Sequence, residues 1–286
     1  FGPIDGHNIP QTVYTLNMAQ KVSGPKLIHV ITKKGKGYLY AEKTPDRFHG
    51  VGKFDKKTGK AIKSQKSLSY SEVFGDTLCA LSKKNSKLIA ITAAMPDGTG
   101  LKKFAQQYPN RFFDVGIAEQ NAVTMAAGMA AEGFIPVVAI YSTFLQRAYD
   151  QIIHDVCLQN FHVIFAIDRA GLVGEDGETH HGAFDISYLR PIPNITIMAP
   201  KDEHELSGML KTAISLSNPV AIRYPRGTGI GINSINKAEW PYIKVGKGEK
   251  LIKGKDINIL AVGSTVYPAL KASEILKSDY NILAGV

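Results

Sequence analysis

The stretch Phe112-Phe113-Asp114-Val115-Gly116-Ile117-Ala118-Glu119-Gln120-Asn121 joins an apolar run to an alanine-rich helical pattern over residues 118–131. This junction carries one acidic side chain, Glu119. Burial among apolar neighbours raises the pKa of a carboxyl group, which can then share its proton with a heterocyclic nitrogen at neutral pH. A glutamate in a first helical turn also offsets the unpaired backbone N–H groups there, so helix polarity alone is the alternative explanation.

Strand-like and helical patterns alternate on both sides of this junction. Short apolar runs that predict strands occupy residues 88–92, 135–141, 163–167, 195–198 and 220–223. Helical spacing of apolar residues occurs at residues 102–107, 143–158 and 202–216. Ser69 and Glu72 have the spacing of a capping box, which marks the start of a further helix. Such alternation predicts an α/β fold in which helices cover both faces of a parallel sheet.

The chain divides into three predicted domains. Residues 44–66 are rich in lysine, glycine, aspartate and proline and show little periodicity, which predicts a long connection after a helix at 10–22 and a buried strand at 26–32. A second domain is expected over residues 67–240, and residues 241–286 are expected to begin a third. Because the first residues have a turn-like pattern and 281–284 begin an apolar strand, the chain is expected to be a fragment.

Composition narrows the functional class. The 286 residues carry a formal charge of +9, but the basic residues are scattered among 25 acidic ones, which argues against a nucleic-acid partner and suits a small anionic substrate. The longest apolar stretch, residues 125–145, is broken by Glu132, Gly133 and Pro136, so no membrane span is expected. Cys79 and Cys157 are too few for a disulfide framework, and a reducing compartment follows.

Three segments that follow predicted strands are candidate binding loops, because ligands collect at the carboxyl ends of parallel strands. Residues 141–147 contain Phe144 and Arg147, an aromatic ring and a cation that could both reach a ligand. The alternative is that Phe144 belongs to the core and Arg147 is solvated. Residues 168–182 place acids, histidines and an arginine among glycines, and the neighbouring histidines there are poorly spaced for a metal. Residues 224–229 offer Arg226, a forked cation suited to phosphate, or else a plain surface arginine.

Taken together, the motifs resemble those of 1-deoxy-D-xylulose-5-phosphate synthases. The runs that carry the resemblance are Tyr-Ser-Thr-Phe-Leu-Gln-Arg-Ala-Tyr-Asp-Gln at 141–151, Asp-Arg-Ala-Gly at 168–171, Thr-His-His-Gly-Ala-Phe-Asp at 179–185 and Arg-Tyr-Pro-Arg-Gly at 223–227. The resemblance implies transketolase-like parallel sheets flanked by helices. Residues 1–66 would end the diphosphate-binding domain, 67–240 would be the pyrimidine-binding domain, and 241–286 would begin the C-terminal domain.

The resemblance also implies a chemistry. In that family pyruvate is decarboxylated on thiamine diphosphate, and the two-carbon unit is added to D-glyceraldehyde 3-phosphate at the start of the non-mevalonate isoprenoid pathway. Glu119 would hydrogen-bond the aminopyrimidine ring. The other residues with implied catalytic roles are His49, Asp176 and His180. Those implied to lie against the cofactor are Lys34, Tyr38 and Phe144, and those implied to bind substrate are Tyr141, Arg147, Arg169 and Arg226.

One expected motif is absent from the chain. The family holds the diphosphate and magnesium through Gly-Asp-Gly followed at a distance by asparagine, and no residue here matches that pattern, so the magnesium ligands are expected in a preceding part. The resemblance further implies a homodimer, with a bacterial cytoplasm favoured over a plastid stroma. The alternatives are a transketolase, a pyruvate dehydrogenase beta subunit, or a noncatalytic domain that binds a partner.

Overall fold

The chain folds into two compact units, residues 1–66 and 67–286. The structure is a computed structural model that describes residues 1–45, 47–49, 51–62, 68–231 and 240–286. Both predicted domain boundaries, near 66 and near 240, adjoin residues outside these ranges, so the three-domain division stays a prediction. No helix in the described ranges is long and apolar enough to span a lipid bilayer.

The larger unit is organised around a six-stranded parallel sheet. Its strands are β3 (Leu88–Thr92), β4 (Phe112–Asp114), β5 (Ile135–Tyr141), β6 (Ile164–Asp168), β7 (Thr196–Met198) and β8 (Val220–Arg223). They are ordered β4-β3-β5-β6-β8-β7. Strands β3, β6 and most of β5 and β8 are buried, as expected for a sheet covered on both faces. The predicted α/β fold with a parallel sheet is therefore confirmed.

Helices pack on both faces of this sheet. The helices of the unit are α3 (Tyr70–Ser82), α4 (Lys102–Gln107), α5 (Glu119–Ala131), α6 (Ser142–Leu145), α7 (Tyr149–Gln151), α8 (Asp185–Leu189), α9 (Glu203–Ser215) and α10 (Val266–Tyr280). Phe74, Phe104 and Leu210 bring α3, α4 and α9 into one apolar core. Val123 of α5 and Ile152 belong to the core on the opposite face. This arrangement leaves the carboxyl edge of the sheet to the connecting loops.

The predicted helix at residues 143–158 is wrong in detail. The segment breaks into α6, a 3-10 turn, α7 and a π-helix at Ile152–Cys157, in which Leu158 N–H donates to Ile153 O at 2.9 Å. Apolar spacing identifies which residues face the sheet, and Ile152, Val156 and Cys157 are indeed buried. The spacing of apolar residues over one or two turns does not distinguish hydrogen bonds from residue i to i+4 from those to i+5. Short π-helical segments often occur near functional sites.

Two pairs of short strands lie outside this sheet. In the smaller unit β1 (Ile4–Asp5) pairs with β2 (Val30–Ile31), and α1 (Ile9–Gln20) and α2 (Leu39–Lys43) complete it. The buried strand predicted at 26–32 is wrong in extent and burial, because only Val30 and Ile31 pair and both are exposed. In the larger unit β9 (Ile257–Asn258) pairs with β10 (Ala284–Gly285).

The predicted capping box at the start of α3 is present. Glu72 N–H donates to Ser69 Oγ at 3.2 Å, and Ser69 N–H donates to Glu72 Oε2 at 2.8 Å. We expect Ser69→Ala to lower the free energy of unfolding by about 1 kcal/mol, because the first turn of α3 loses an acceptor for a backbone N–H group. Urea unfolding of the chain measures this change. Exposed Ser86→Ala is the control, and an equal loss in that variant would remove the cap from the explanation.

Candidate functional site

The functional residues predicted in the larger unit lie where neighbouring strands end. Tyr141 ends β5 and pairs in register with Asp168 at the end of β6, while Ile167 of β6 pairs with Arg223 of β8. Because the three strands are adjacent and parallel, the loops that follow them leave the sheet side by side. The candidate site is therefore built from segments far apart in sequence.

Arg169 is the most constrained residue of the site. Its backbone is left-handed, with φ 56°, a conformation that costs a non-glycine residue free energy and that clusters at functional sites. Its guanidinium carbon lies 4.0 Å from the ring centroid of Tyr141. Nη1 donates to Gly98 O at 2.6 Å and to Ser71 Oγ at 3.3 Å, and lies 3.0 Å from Asp168 Oδ1. The guanidinium is thus fixed before any ligand arrives.

The carboxyl group that holds Arg169 is itself fully buried. Asp168 accepts from Ser71 Oγ at 2.6 Å through Oδ2 and from the Arg169 backbone N–H at 2.7 Å through Oδ1. Burial raises the pKa of Asp168, while the neighbouring guanidinium and these hydrogen bonds act in the opposite direction. A charge pair of this kind fixes geometry, since removing one partner leaves the other buried and uncompensated.

Arg226 lies beside Arg169 through a shared carboxylate. Asp176 Oδ1 is 2.8 Å from Arg226 Nε, and Asp176 Oδ2 is 3.6 Å from Arg169 Nε. The Arg226 Nε–H bond is not directed at that oxygen, so the contact is an ion pair rather than a hydrogen bond. Glu175 Oε2 accepts from Arg226 Nη2 at 3.4 Å. No described residue hydrogen-bonds Arg169 Nη2 or Arg226 Nη1, so both can contact an anion.

Tyr141 forms the third side of this cationic cluster. Burial raises the pKa of its phenol to about 12, although the Arg169 charge lowers it. The hydroxyl is therefore protonated at neutral pH and can donate to an anion. We call Tyr141, Arg169 and Arg226 the anion cluster; its residues were predicted as substrate-binding, and what they bind stays a prediction.

Glu119 begins α5 and is only 2% exposed. Oε1 accepts from Arg147 Nη1 at 2.8 Å, so the structure places Arg147 on Glu119 rather than among the residues of the anion cluster. Oε2 is buried and has no hydrogen-bond partner among the described residues. A buried carboxyl oxygen without a partner is uncommon in folded proteins and fits a site that a polar ligand completes.

Aromatic rings connect the two parts of the site. Phe144 lies parallel to Tyr141, with ring centroids 5.7 Å apart and an interplanar angle of 16°. The Arg147 guanidinium carbon is 5.1 Å from the Phe144 centroid, and the His180 ring meets Phe144 edge-on at 5.3 Å. His180 Nδ1 is 3.0 Å from Thr179 Oγ1. The predicted loop residue His180 is thus brought next to Phe144.

Three further predicted residues belong to the smaller unit. Lys34 Nζ is 3.0 Å from His49 Nδ1, a contact in which the ammonium donates and the ring nitrogen accepts. Tyr38 packs against Phe48 and Phe54, with ring centroids 5.5 and 5.8 Å away. The structure brings Lys34 and His49 together, and the cofactor contact of all three stays a prediction.

Sequence reasoning missed several residues that hold the site in place. Gly98 and Ser71 orient Arg169, and buried Asp185 accepts from Ser142 Oγ at 3.1 Å and from Arg223 Nε at 3.0 Å. Glu203 Oε1 accepts the backbone N–H of Gly231, five residues after Arg226, at 2.9 Å. A signal existed for Gly98 alone, because Asp97-Gly98-Thr99-Gly100 closely follows a predicted strand.

The described ranges contain no group of three or more histidine, cysteine, aspartate or glutamate side chains placed to hold a metal ion. The acidic residues of the site, Asp168, Asp176 and Glu175, are each paired with an arginine. Their charge is therefore directed to positioning cations within the site.

Known proteins match this chain along its whole length. The family model described as "Transketolase, pyrimidine binding domain" matches residues 66–229, and the model described as "1-deoxy-D-xylulose-5-phosphate synthase" matches residues 1–32. The 1-deoxy-D-xylulose-5-phosphate synthase 1 of Geobacter sulfurreducens is 60% identical over 276 residues, which are 96% of this chain and 43% of the relative. The synthase of Halothermothrix orenii is 58% identical over 285 residues, or 100% of this chain and 44% of that protein.

Solved structures agree with the fold. A protein described as "Split gene transketolase, inactive beta4 tetramer" superposes with a TM-score of 0.67 at 30% identity, covering 77% of this chain and 70% of that one. The transketolase of Leishmania mexicana has a TM-score of 0.64 at 20% identity, covering 79% and 35%, and shows the fold alone. The chain spans less than half the length of the curated relatives it matches. With one family model covering more than half of it and these relatives in agreement, the chain belongs to the transketolase family through its pyrimidine-binding domain.

Proposed function

We propose that the complete protein is a 1-deoxy-D-xylulose-5-phosphate synthase. It converts pyruvate and D-glyceraldehyde 3-phosphate into 1-deoxy-D-xylulose 5-phosphate and carbon dioxide, so that six substrate carbons become five plus one. The observation that carries the proposal is a continuous chain of contacts from Glu119 through Arg147, Phe144 and Tyr141 to Arg169. It links a buried carboxyl group to a preformed anion site.

The carboxyl end of this chain suits a thiamine cofactor. Glu119 Oε2 is buried without a partner among the described residues and is available to a ring nitrogen of the aminopyrimidine. Phe144 offers an aromatic surface beside it, and Lys34 and Tyr38 are proposed to lie against the same cofactor. Thiamine diphosphate, when bound, supplies the carbon nucleophile that attacks the pyruvate carbonyl. Magnesium, with ligands outside this chain, is proposed to hold the diphosphate.

The cationic end suits the phosphorylated acceptor. Arg169 and Arg226 present two guanidinium groups, and Tyr141 offers a protonated hydroxyl, which together match the oxygens of a phosphate dianion. Asp176 lies between the two arginines and is proposed to contact the acceptor once phosphate takes over the arginine charges. His180, whose ring lies next to Phe144, is proposed to hold or move a proton at the acceptor carbonyl. His49 is proposed to act at the donor site.

The relatives support three further proposals. Eight curated relatives at 55–60% identity are named 1-deoxy-D-xylulose-5-phosphate synthases. We propose that the complete protein supplies precursor for isoprenoids, thiamine and pyridoxal, that it acts in a bacterial cytoplasm, and that it is a homodimer. No nucleic acid or membrane partner is proposed.

The proposal is tested by turnover of the complete protein. Formation of 1-deoxy-D-xylulose 5-phosphate is expected only when pyruvate, D-glyceraldehyde 3-phosphate, thiamine diphosphate and magnesium are all present. The reaction is measured as the release of carbon dioxide and, by chromatography, as the amount of product. Replacing pyruvate with a ketose phosphate donor is the control. Full turnover without the cofactor would refute the proposal, turnover of the ketose donor alone would indicate a transketolase, and no turnover at all would favour a noncatalytic domain.

A further inference from the structure

We propose that Gly98 determines how tightly this site binds a phosphate group, by positioning both Tyr141 and Arg169. Gly98 belongs to the turn that follows β3, and no role is implied for it by the residues that carry the family resemblance. Its carbonyl oxygen accepts from Arg169 Nη1 at 2.6 Å. A methyl group built on its Cα would overlap the Tyr141 hydroxyl and lie 3.0 Å from Cζ of the same ring. The absence of a side chain at Gly98 therefore leaves room for Tyr141, and the Gly98 carbonyl holds Arg169, so that this residue positions two members of the anion cluster.

The turn that carries Gly98 cannot easily move away from Tyr141. Buried Thr99 donates from its backbone N–H and its hydroxyl to Met95 O, at 3.0 and 2.7 Å. Gly100 has a positive φ of 76°, and a Cβ there would overlap the backbone carbonyl of Ser71 in α3. The turn is thus packed against a helix on one side and tied internally on the other. A side chain at position 98 must then displace Tyr141 rather than the turn.

Such a displacement changes the anion cluster more than the rest of the site. The Tyr141 ring covers the guanidinium of Arg169 at 4.0 Å, and Gly98 O occupies one of its nitrogens. Because Nη1 is committed to Gly98, Ser71 and Asp168, the guanidinium is oriented with Nη2 uncommitted among the described residues. Gly98 is therefore a positioning residue for phosphate, because its carbonyl contacts Arg169 and a side chain there would overlap Tyr141.

The direct test is calorimetric titration of the complete protein with inorganic phosphate. We expect Gly98→Ala to raise the Kd by at least about tenfold, because losing a well-aligned hydrogen bond to a charged group weakens binding by roughly that factor or more. Gly248→Ala is the matched control, since a Cβ at that loop glycine meets nothing within 4 Å and the Kd is expected to stay within about twofold of wild type. An unchanged Kd in Gly98→Ala, or a wild-type protein that does not bind phosphate, overturns the inference.

A second background separates local overlap from general distortion. Tyr141→Phe removes the oxygen that the new methyl group would overlap, so Gly98→Ala is expected to weaken phosphate binding less in that background than in wild type. An equal loss in both backgrounds would contradict the role of the hydroxyl. Thermal unfolding of each variant shows whether the fold survives.

The kinetic test of Gly98 rests on the proposed function. In the complete enzyme, Gly98→Ala is expected to raise the KM for D-glyceraldehyde 3-phosphate by about tenfold or more and to leave the KM for pyruvate within about twofold. Equal losses with phosphorylated and unphosphorylated glyceraldehyde would overturn the inference. A wild-type protein that binds phosphate without turnover would overturn the proposed function alone, since the calorimetric result still decides the role of Gly98.

Discussion

Glu119→Gln is expected to lower turnover of the complete protein by about 10² to 10⁴-fold, the range typical of a lost general acid or base. Glutamine keeps the size of the side chain but cannot share a carboxyl proton with a ring nitrogen. The buried, unpartnered Oε2 is the oxygen available for that role. The Glu119–Arg147 contact loses its ionic character as well, but Arg147 is half exposed, so its charge stays hydrated and the fold is expected to survive.

The measurement compares product formation at saturating cofactor with thermal unfolding and with calorimetric binding of thiamine diphosphate. Glu132→Gln is the matched control, because Glu132 follows the last residue of the same helix and is exposed. Turnover near wild type in Glu119→Gln would remove Glu119 from the mechanism and leave helix polarity as its role. A variant that has lost both its unfolding transition and its activity would show instead that Glu119 is structural.

The sheet could be predicted from the sequence because parallel strands that are buried on both faces consist of short runs of apolar residues. Strand β6 was predicted one residue early, at 163–167 rather than Ile164–Asp168, and α5 begins at Glu119, one residue after its predicted start at Ala118. The order β4-β3-β5-β6-β8-β7 is not encoded in such runs, since each depends only on local burial. The π-helix after α7 was missed for the same reason, because α-helical and π-helical hydrogen bonding bury the same side chains in this segment.

The candidate site could be predicted in its residue types but not in its pairs. Arg147, Arg169 and Arg226 all follow strands, which makes them equivalent on sequence position. The structure separates them, because Arg147 reaches Glu119 while Asp176 joins the other two. The contacts of Arg147 with Glu119 and of Arg226 with Asp176 cross 28 and 50 positions in sequence and depend on which strands are neighbours. Support from Ser71 was hidden for the same reason, since it reaches Asp168 across 97 positions.

Arg226→Ala is expected to raise the KM for D-glyceraldehyde 3-phosphate by about 10 to 150-fold, which corresponds to the roughly 1.5–3 kcal/mol of a hydrogen bond to a charged group. Arg226 suits this test better than Arg169, because Arg169 pairs with the buried carboxylate of Asp168. Removing Arg169 would leave that carboxylate buried without a compensating charge and would destabilise the fold. The partners of Arg226, Glu175 and Asp176, are less buried and can be hydrated when it is removed.

The measurement that isolates the phosphate contact uses two acceptors. With unphosphorylated glyceraldehyde, Arg226→Ala should behave like wild type, because the missing guanidinium has no phosphate to bind in either protein. Arg190→Ala, at an exposed position after α8, is the control for loss of a positive charge from a residue that is not a member of the anion cluster. Arg226→Lys discriminates further, since lysine keeps the charge but presents a single ammonium group in place of a planar fork. Recovery of the full affinity by lysine would show that charge alone matters, whereas equal losses with both acceptors would contradict a phosphate role and leave Arg226 as the partner that anchors Asp176.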